Sequence, residues 1–88
     1  MMRMSYHDLK ILPEYYNAIA CGEKTFEVRF NDRGYKVHDI LRLREHSDGA
    51  YTGRSLDAEV TYLLDDTNYC KEGYVVMSIK IIQTTDTQ

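Results

Sequence analysis

The sequence is poor in cysteine, proline and tryptophan. Its 88 residues include two cysteines, one proline and no tryptophan. Cys21 and Cys70 have neither the spacing of a metal cluster nor that of a paired redox motif, so we expect each to pack as a small apolar residue. Without a disulfide framework, the chain fits the reducing cytoplasm. The three histidines are scattered along the sequence, and we therefore expect no metal site and no cofactor.

Long apolar runs, repeats and low-complexity segments are also lacking. The start of the chain has no apolar stretch long enough for a signal peptide or a membrane span, and we expect a soluble, cytoplasmic protein without a membrane partner. The apolar fraction of 43% is ordinary for a globular protein. The length predicts a single small domain over residues 1–82, followed by a polar and frayed tail over residues 83–88.

The charges are unevenly distributed along a chain of net charge −3. Residues 1–44 carry eight Lys or Arg and six Asp or Glu, whereas residues 45–88 carry three and eight. The net charge argues against a broad nucleic-acid-binding surface, because such a surface needs many cations to neutralise phosphates. The sequence still allows a local basic site, since six basic residues fall in one central block: Lys24, Arg29, Arg33, Lys36, Arg42 and Arg44.

Alternation of apolar and polar residues predicts five strands, at residues 5–11, 25–31, 40–46, 56–64 and 74–82, with residues 47–53 as a mobile loop. Pro13 and Gly22 mark the start and the C-terminal cap of a short helix over residues 13–21. An open antiparallel sheet of this size would expose long edges. We therefore predict a mainly β (α+β) fold, a small β-barrel with one short helix after the first strand, and keep an open α+β sheet as the alternative.

Strand alternation also assigns the side chains that face the core. His7 shares the parity of Leu9 and Ile11, so we expect it to point toward the mouth of the barrel. There it would be either a partly buried histidine with a backbone partner or a proton donor or acceptor of a site. The residues assigned to the core in the later strands are Phe26, Val28, Phe30, Leu41, Leu43, Leu56, Ala58, Val60, Tyr62, Leu64, Val75, Met77, Ile79 and Ile81.

Residues 22–29 combine an ammonium, a hydroxyl, a carboxylate and a guanidinium. Thr25, Glu27 and Arg29 share the strand face opposite the predicted core face, and Glu27 lies between Arg29 and Lys24, which would keep it ionised. This pattern fits a ligand-binding face, with Arg29 and Arg33 contacting phosphate. It also fits a catalytic pair, with Lys24 as base or nucleophile and Glu27 as general base. A solvated strand face with loose ion pairs gives the same pattern.

The motif around these residues resembles a known family. His7, Leu9 and Lys10, the run 22–29, and residues 31–33, 37–41, 51–54 and 73–77 are together similar to small proteins of unknown function in the ASCH (activating-signal-cointegrator homology) group, common in bacteria and bacteriophages. The resemblance covers nearly the whole chain. It implies a PUA-like β-barrel with a cleft beside the helix and the strand that follows it.

The same resemblance implies a nucleic-acid-related activity, since ASCH relatives are proposed to bind RNA and some act on nucleic acids or modified nucleosides. One enzymatic branch removes the acyl group from acetylated cytidine with a Lys, a Thr and a Glu. Lys24 matches that Lys. Glu27 stands where the branch has its Thr, Thr25 is the neighbouring Thr of the motif, and no residue here matches the Glu of the branch.

Three hypotheses follow from the sequence. The first is a domain that binds RNA or a nucleotide in a cleft. The second is a hydrolase that acts on a modified nucleoside or RNA through Lys24 and Glu27. The third is a non-enzymatic protein-interaction module that uses residues 47–53 and the acidic second half. The residues predicted to bind the ligand are His7, Lys10, Lys24, Thr25, Glu27, Arg29 and Arg33.

Overall fold

The computed structural model describes residues 4–85. Residues 1–3 and 86–88, which include the start of the chain and half of the predicted tail, lie outside the described residues. The predicted order of elements and the mainly β class are confirmed. The elements are β1 (Tyr6–Ile11), α1 (Pro13–Ala20), β2 (Phe26–Phe30), β3 (Ile40–Ser47), β4 (Ala50–Leu64) and β5 (Tyr74–Thr84).

The strands form one curled sheet in the order β1-β3-β4-β5-β2. β1 pairs with β3 in parallel, and the other neighbours are antiparallel. Parallel pairing needs a long connection between the strands, and here α1 and β2 form part of it. β1 and β2 are therefore the two edges of the sheet. Among residues 4–85 no strand pairing joins them, so the predicted closed barrel is a half-barrel with a gap, which we call the seam.

The helix α1 begins and ends at the predicted signals. Pro13 occupies its first turn. At its end, Gly22 adopts a φ of +86°, its amide donates to the Ile19 carbonyl at 3.0 Å, and the Glu23 amide donates to the Ala18 carbonyl at 2.9 Å. These two bonds form a Schellman motif. In residues 4–85, no helix has the length and apolar character needed to cross a membrane.

The core lies inside the curl of the sheet, with α1 packed against it. Tyr16 and Ile19 are the side chains that α1 buries, which is what holds so short a helix in place. The inner faces of the strands, together with Tyr35 from the segment before β3, contribute a continuous apolar cluster. Its members are Leu9, Ile11, Tyr35, Leu41, Leu43, Leu56, Ala58, Val60, Val75, Met77 and Ile79.

The predicted core face of β2 is wrong. Phe26, Val28 and Phe30 are 43%, 49% and 55% exposed, whereas Glu27 is 5% exposed and points inward. Alternation shows that the two faces of a strand differ, but it does not show which face is buried. Here two cations accompany the Glu27 carboxylate inward and offset part of its desolvation cost. All three apolar side chains of β2 thus lie on the outside of the sheet.

The predicted loop over residues 47–53 is a tight hairpin instead. Asp48 and Gly49 both have positive φ, as a two-residue hairpin turn requires, and β4 begins immediately afterwards at Ala50. A register shift between Val60 and Tyr62 then turns Tyr62 outward, and Leu63 packs against the core in its place. Irregular registers of this kind reverse a strand's faces locally, which explains why Tyr62 was wrongly assigned to the core.

The last strand extends beyond its predicted end. β5 continues to Thr84, so the first two residues of the predicted tail belong to the sheet. Another register shift between β4 and β5, at Asp57 and Ala58, accompanies this extension. Ile81, which was assigned to the core, is exposed near this irregularity.

Candidate functional site

A buried carboxylate with two cations forms the centre of the candidate site. The Lys24 Nζ donates to Glu27 Oε2 at 2.7 Å, and the Arg29 Nε donates to Glu27 Oε1 at 3.1 Å. Both oxygens of the carboxylate are thus hydrogen-bonded, which a buried charge requires. The structure brings these three predicted residues together. With two cations and one anion, the cluster carries a formal charge of +1.

The same cations also bind backbone carbonyls at the edges of the sheet. The Lys24 Nζ donates to the Phe26 carbonyl at 2.7 Å, and the Arg29 Nη2 crosses the seam to the Lys10 carbonyl at 2.7 Å. The Arg33 Nη1 reaches the Asp8 carbonyl at 3.3 Å. Side chains therefore connect β1 and β2 where strand pairing does not. This arrangement also protects two sheet edges from pairing with other chains.

A groove of about 610 Å³ lies along the seam, with Lys24, Glu27 and Arg29 among its lining residues. Lys10 also lines it, from the end of β1. The remaining lining residues are mostly apolar or aromatic and come from β1, the start of α1, β2 and β5: Ile11, Leu12, Tyr15, Phe26, Val28, Phe30 and Tyr74. A concave surface with apolar walls and a few charged groups is typical of a ligand site.

The aromatic rings of the groove are held in defined positions beside its cations. The Lys24 Nζ lies 4.8 Å from the centroid of the Phe26 ring and 5.5 Å from that of Tyr15. Phe30 packs edge-to-face on Tyr74, with centroids 5.5 Å apart. Gly73 makes room for it, because a Cβ atom there would lie 2.7 Å from the Phe30 ring. The groove therefore offers flat apolar surfaces next to positive charge.

His7 belongs to a different cluster from the groove. Its Nε2 lies 2.8 Å from Asp39 Oδ2, and both side chains are buried. Burial opposes ionisation of Asp39, but hydrogen bonds from His7 and from the Ser5 and Lys36 amides outweigh it and hold the pKa of Asp39 below its usual value. Asp39 thus ties the segment before β3 to β1. Of the two readings of His7, the structure matches the buried histidine, with a carboxylate rather than a backbone partner.

The other predicted residues lie at the periphery. Thr25 is exposed, and its carbonyl accepts from the Ile79 amide at 3.0 Å as part of the sheet. Arg33 lies at the far end of the seam, 3.8 Å from Asp32. Burial raises the pKa of Tyr35, while Arg29 and Arg33 oppose that rise, so both guanidinium groups lie near this ring. Neither Thr25 nor Arg33 is among the lining residues of the groove.

Sequence reasoning missed two features of this region. The first is the exposure of Phe26 and Phe30 in the groove, since the parity of β2 had assigned both rings to the core. The second is Glu45, whose buried carboxylate accepts from Arg54 at 2.7 and 2.9 Å and from Thr52 at 2.7 Å. These hydrogen bonds hold the pKa of Glu45 below its usual value. A signal existed, because Glu45 shares the parity of the core residues Leu41 and Leu43.

Within the described residues, no three His, Cys, Asp or Glu side chains lie close enough together to hold a metal ion. The groups suited to binding are instead the donors of Lys10, Lys24 and Arg29, which take anions or carbonyl oxygens. The arrangement therefore favours an anionic ligand with a flat apolar part.

Two comparisons with known proteins give a match, and each match covers most of the chain. The family model described as "Domain of unknown function (DUF3850)" matches residues 6–79. A protein of Escherichia phage P2, described as "Uncharacterized 12.9 kDa protein in GpA 3'region", is 33% identical over 76 residues. That alignment covers 86% of this chain and 69% of the phage protein. Both matches extend well beyond the motif at residues 22–29.

Proposed function

We propose that this chain, which belongs to the family described as a domain of unknown function (DUF3850), binds RNA or a nucleotide in the groove. The observation that carries this proposal is the presence of exposed aromatic rings beside cations on one concave surface. Proteins that bind single-stranded nucleic acid combine these two elements, since rings stack with bases and cations attract phosphates.

Each part of the groove has a distinct role in this proposal. Phe26 and Phe30 stack with a base, and Lys10, which is exposed at the rim, contacts a phosphate. Arg29 is held by Glu27 and by the Lys10 carbonyl. Its remaining N–H groups are thus oriented before the ligand arrives, which lowers the entropic cost of binding. Glu27 orients both cations and accepts from a base edge.

We further propose that the fold is PUA-like and that the family is of the ASCH type. Two features support this. The sheet is curled and mainly β, with its helix directly after the first strand. The groove lies beside α1 and β2, which is where the resemblance of residues 22–29 to ASCH proteins implied a cleft.

A titration followed by amide chemical shifts tests the binding proposal. Isotope-labelled protein is mixed with mononucleotides and with short single-stranded RNAs. We expect concentration-dependent shifts in residues 10–15 and 24–33, which border the seam. The absence of any shift in residues 24–33 with every ligand would refute the proposal.

A hydrolase acting on a modified nucleoside or on RNA is the second candidate, and the direct contact between Lys24 Nζ and Glu27 Oε2 favours it. Because the Lys24 ammonium donates to two oxygens, we assign it the stabilisation of developing negative charge, with Glu27 as the proton acceptor. Incubation with acylated nucleosides and RNA tests this. Turnover should be lost in Lys24→Ala and retained in Lys80→Ala, an exposed lysine outside the groove. Turnover that survives in Lys24→Ala would remove Lys24 from the mechanism.

A further inference from the structure

The outer face of β1 and β3 carries a band of cations that starts at the rim of the groove. Lys10 lies opposite Arg44 in the parallel pairing of these strands, and Asp8 lies opposite Arg42. Neighbouring strands are about 4.8 Å apart, and alternate residues along one strand about 7 Å apart. Lys10, Arg44 and Arg42 therefore follow one another across the outer surface at short intervals.

This band ends in a second concavity of about 530 Å³, here called the outer cavity. Its lining residues include Arg42, Arg44, Tyr51 and Gln83, from three neighbouring strands, and also Asp8 and Asp57, whose carboxylates accept from the two arginines. The Arg44 guanidinium carbon lies 3.8 Å from the centroid of the Tyr51 ring, so the two side chains are stacked. The outer cavity is more polar than the groove but shares one feature with it, an aromatic ring beside a cation.

The two arginines of the outer cavity are bound to different degrees. Arg42 donates from Nε and Nη2 to both oxygens of Asp57, at 2.9 and 3.0 Å. Within residues 4–85, the ion pair of Arg44 is a long one, 3.5 Å from its Nη1 to Asp8 Oδ2. A guanidinium group has five N–H donors, so the contacts described here leave donors on both residues for a phosphate. The Asp57 pair holds Arg42 in place, whereas Arg44 is oriented mainly by its stacking on Tyr51.

We propose that the ligand of this protein is a single strand of several nucleotides, which leaves the groove over Lys10 and continues across β1 and β3 into the outer cavity. There Arg44 and Arg42 contact phosphates, and a base stacks on the Arg44–Tyr51 pair. This inference rests on the proposed binding of RNA or a nucleotide in the groove. It specifies that a mononucleotide fills only part of the binding surface.

Affinity as a function of strand length tests the inference. Binding of a mononucleotide, a trinucleotide and a single strand of about ten nucleotides is measured by calorimetry with the wild type and with Arg44→Ala and Tyr51→Ala. We expect the wild type to bind the longest strand most tightly. Each substitution should weaken that binding at least fivefold or so and leave mononucleotide binding unchanged. Arg44→Ala should also reduce the slope of log affinity against log salt concentration by about one, the loss expected for one phosphate contact.

Lys80→Ala is the matched control, because it removes one positive charge from an exposed site that lines neither the groove nor the outer cavity. Circular dichroism verifies that Tyr51→Ala remains folded. Equal affinity for the mononucleotide and the longest strand would overturn this inference and leave the groove proposal intact. Equal losses in Arg44→Ala and Lys80→Ala would overturn it as well. Failure of every ligand to bind the wild type would instead refute the proposed function itself.

Discussion

Glu27 and Glu45 are buried to the same extent, each with 5% of its surface exposed, yet different parts of the molecule hold them. The cationic partners of Glu27, Lys24 and Arg29, come from the same short stretch of chain. The partners of Glu45, Arg54 and Thr52, come from β4, and Arg54 in turn donates to Asn17 of α1 at 2.8 Å. The first carboxylate thus organises one wall of a groove, whereas the second connects the helix to the sheet.

This difference separates a site from a structural support. Arg54 also lies 4.4 Å from the Tyr16 ring, so the Glu45 cluster joins three elements around one of the most buried side chains of α1. The Glu27 cluster opens onto the groove and retains backbone acceptors for both of its cations. Equal burial of two carboxylates therefore does not imply equal importance for stability.

Glu45→Gln should have the largest effect on stability. It removes the negative charge to which Arg54 and Thr52 donate. The free energy of unfolding should fall by about 2–3 kcal/mol, less than for a fully buried ion pair, because Arg54 is partly exposed. Urea denaturation followed by circular dichroism measures it. A loss no greater than that of Glu27→Gln would contradict the structural role assigned to Glu45.

Phe26→Ala should have the next largest effect, on ligand binding rather than on folding. Stacking of a base on an aromatic side chain contributes about 1–3 kcal/mol, and Phe26 is exposed in the groove. Calorimetric titration with a short single-stranded RNA measures the loss. Tyr62→Ala is the control, since Tyr62 is also exposed and is not among the groove residues. Equal affinities for Phe26→Ala and the wild type would argue against stacking in the groove.

Glu27→Gln should cost less stability than the same change at Glu45, about 1 kcal/mol. Lys24 keeps its bond to the Phe26 carbonyl and Arg29 its bond to the Lys10 carbonyl, so neither cation is left without a partner. Urea denaturation under the conditions used for Glu45→Gln provides the comparison. Unfolding of this variant under native conditions would show that the Glu27 cluster is a structural support too.

Acidification should give the smallest change and test the role of Glu45 independently. Since the pKa of Glu45 is held below 4.5, its ionised form contributes stability above that value, and this contribution is lost as the pH falls through the lower folded-state pKa. The pKa of Asp39 is lowered too, so its ionised form also contributes stability, and this contribution is lost as the pH falls through its folded-state pKa. Urea midpoints from about pH 6 to about pH 3 measure the decline. Glu45→Gln should reduce its slope, and an unchanged slope would refute this assignment.

The sequence was sufficient to predict the parts of the fold that are determined locally along the chain. Pro13 and Gly22 define the helix through the backbone conformations that these residues favour. Alternation located the strands within a few residues, apart from the start of β4. The contact of Glu27 with Lys24 and Arg29 was also accessible, because all three lie within six residues of chain.

Features that depend on distant parts of the chain were not accessible. The parallel pairing of β1 with β3, and hence the seam, depends on how the sheet curls rather than on either strand. The outward turn of Tyr62 follows from a register shift against β5. Glu27 can point inward because Lys24 and Arg29 pair with its carboxylate there. The polar face of β2 is therefore the buried one. For this reason Phe26 and Phe30 were predicted to lie in the core and not in the groove.

The position of β2 in the sheet has a consequence for biosynthesis. Within residues 4–85, β2 pairs with β5 alone, so that Phe26 lies opposite Ser78 and Phe30 opposite Tyr74. During synthesis, β1, β3 and β4 are complete and able to pair before β5 has been made. Until then, β2 has no strand to pair with. The groove is therefore among the last parts of the molecule to form. A nascent chain that ends before residue 74 lacks it, so the ligand proposed for the groove would bind only chains that carry β5.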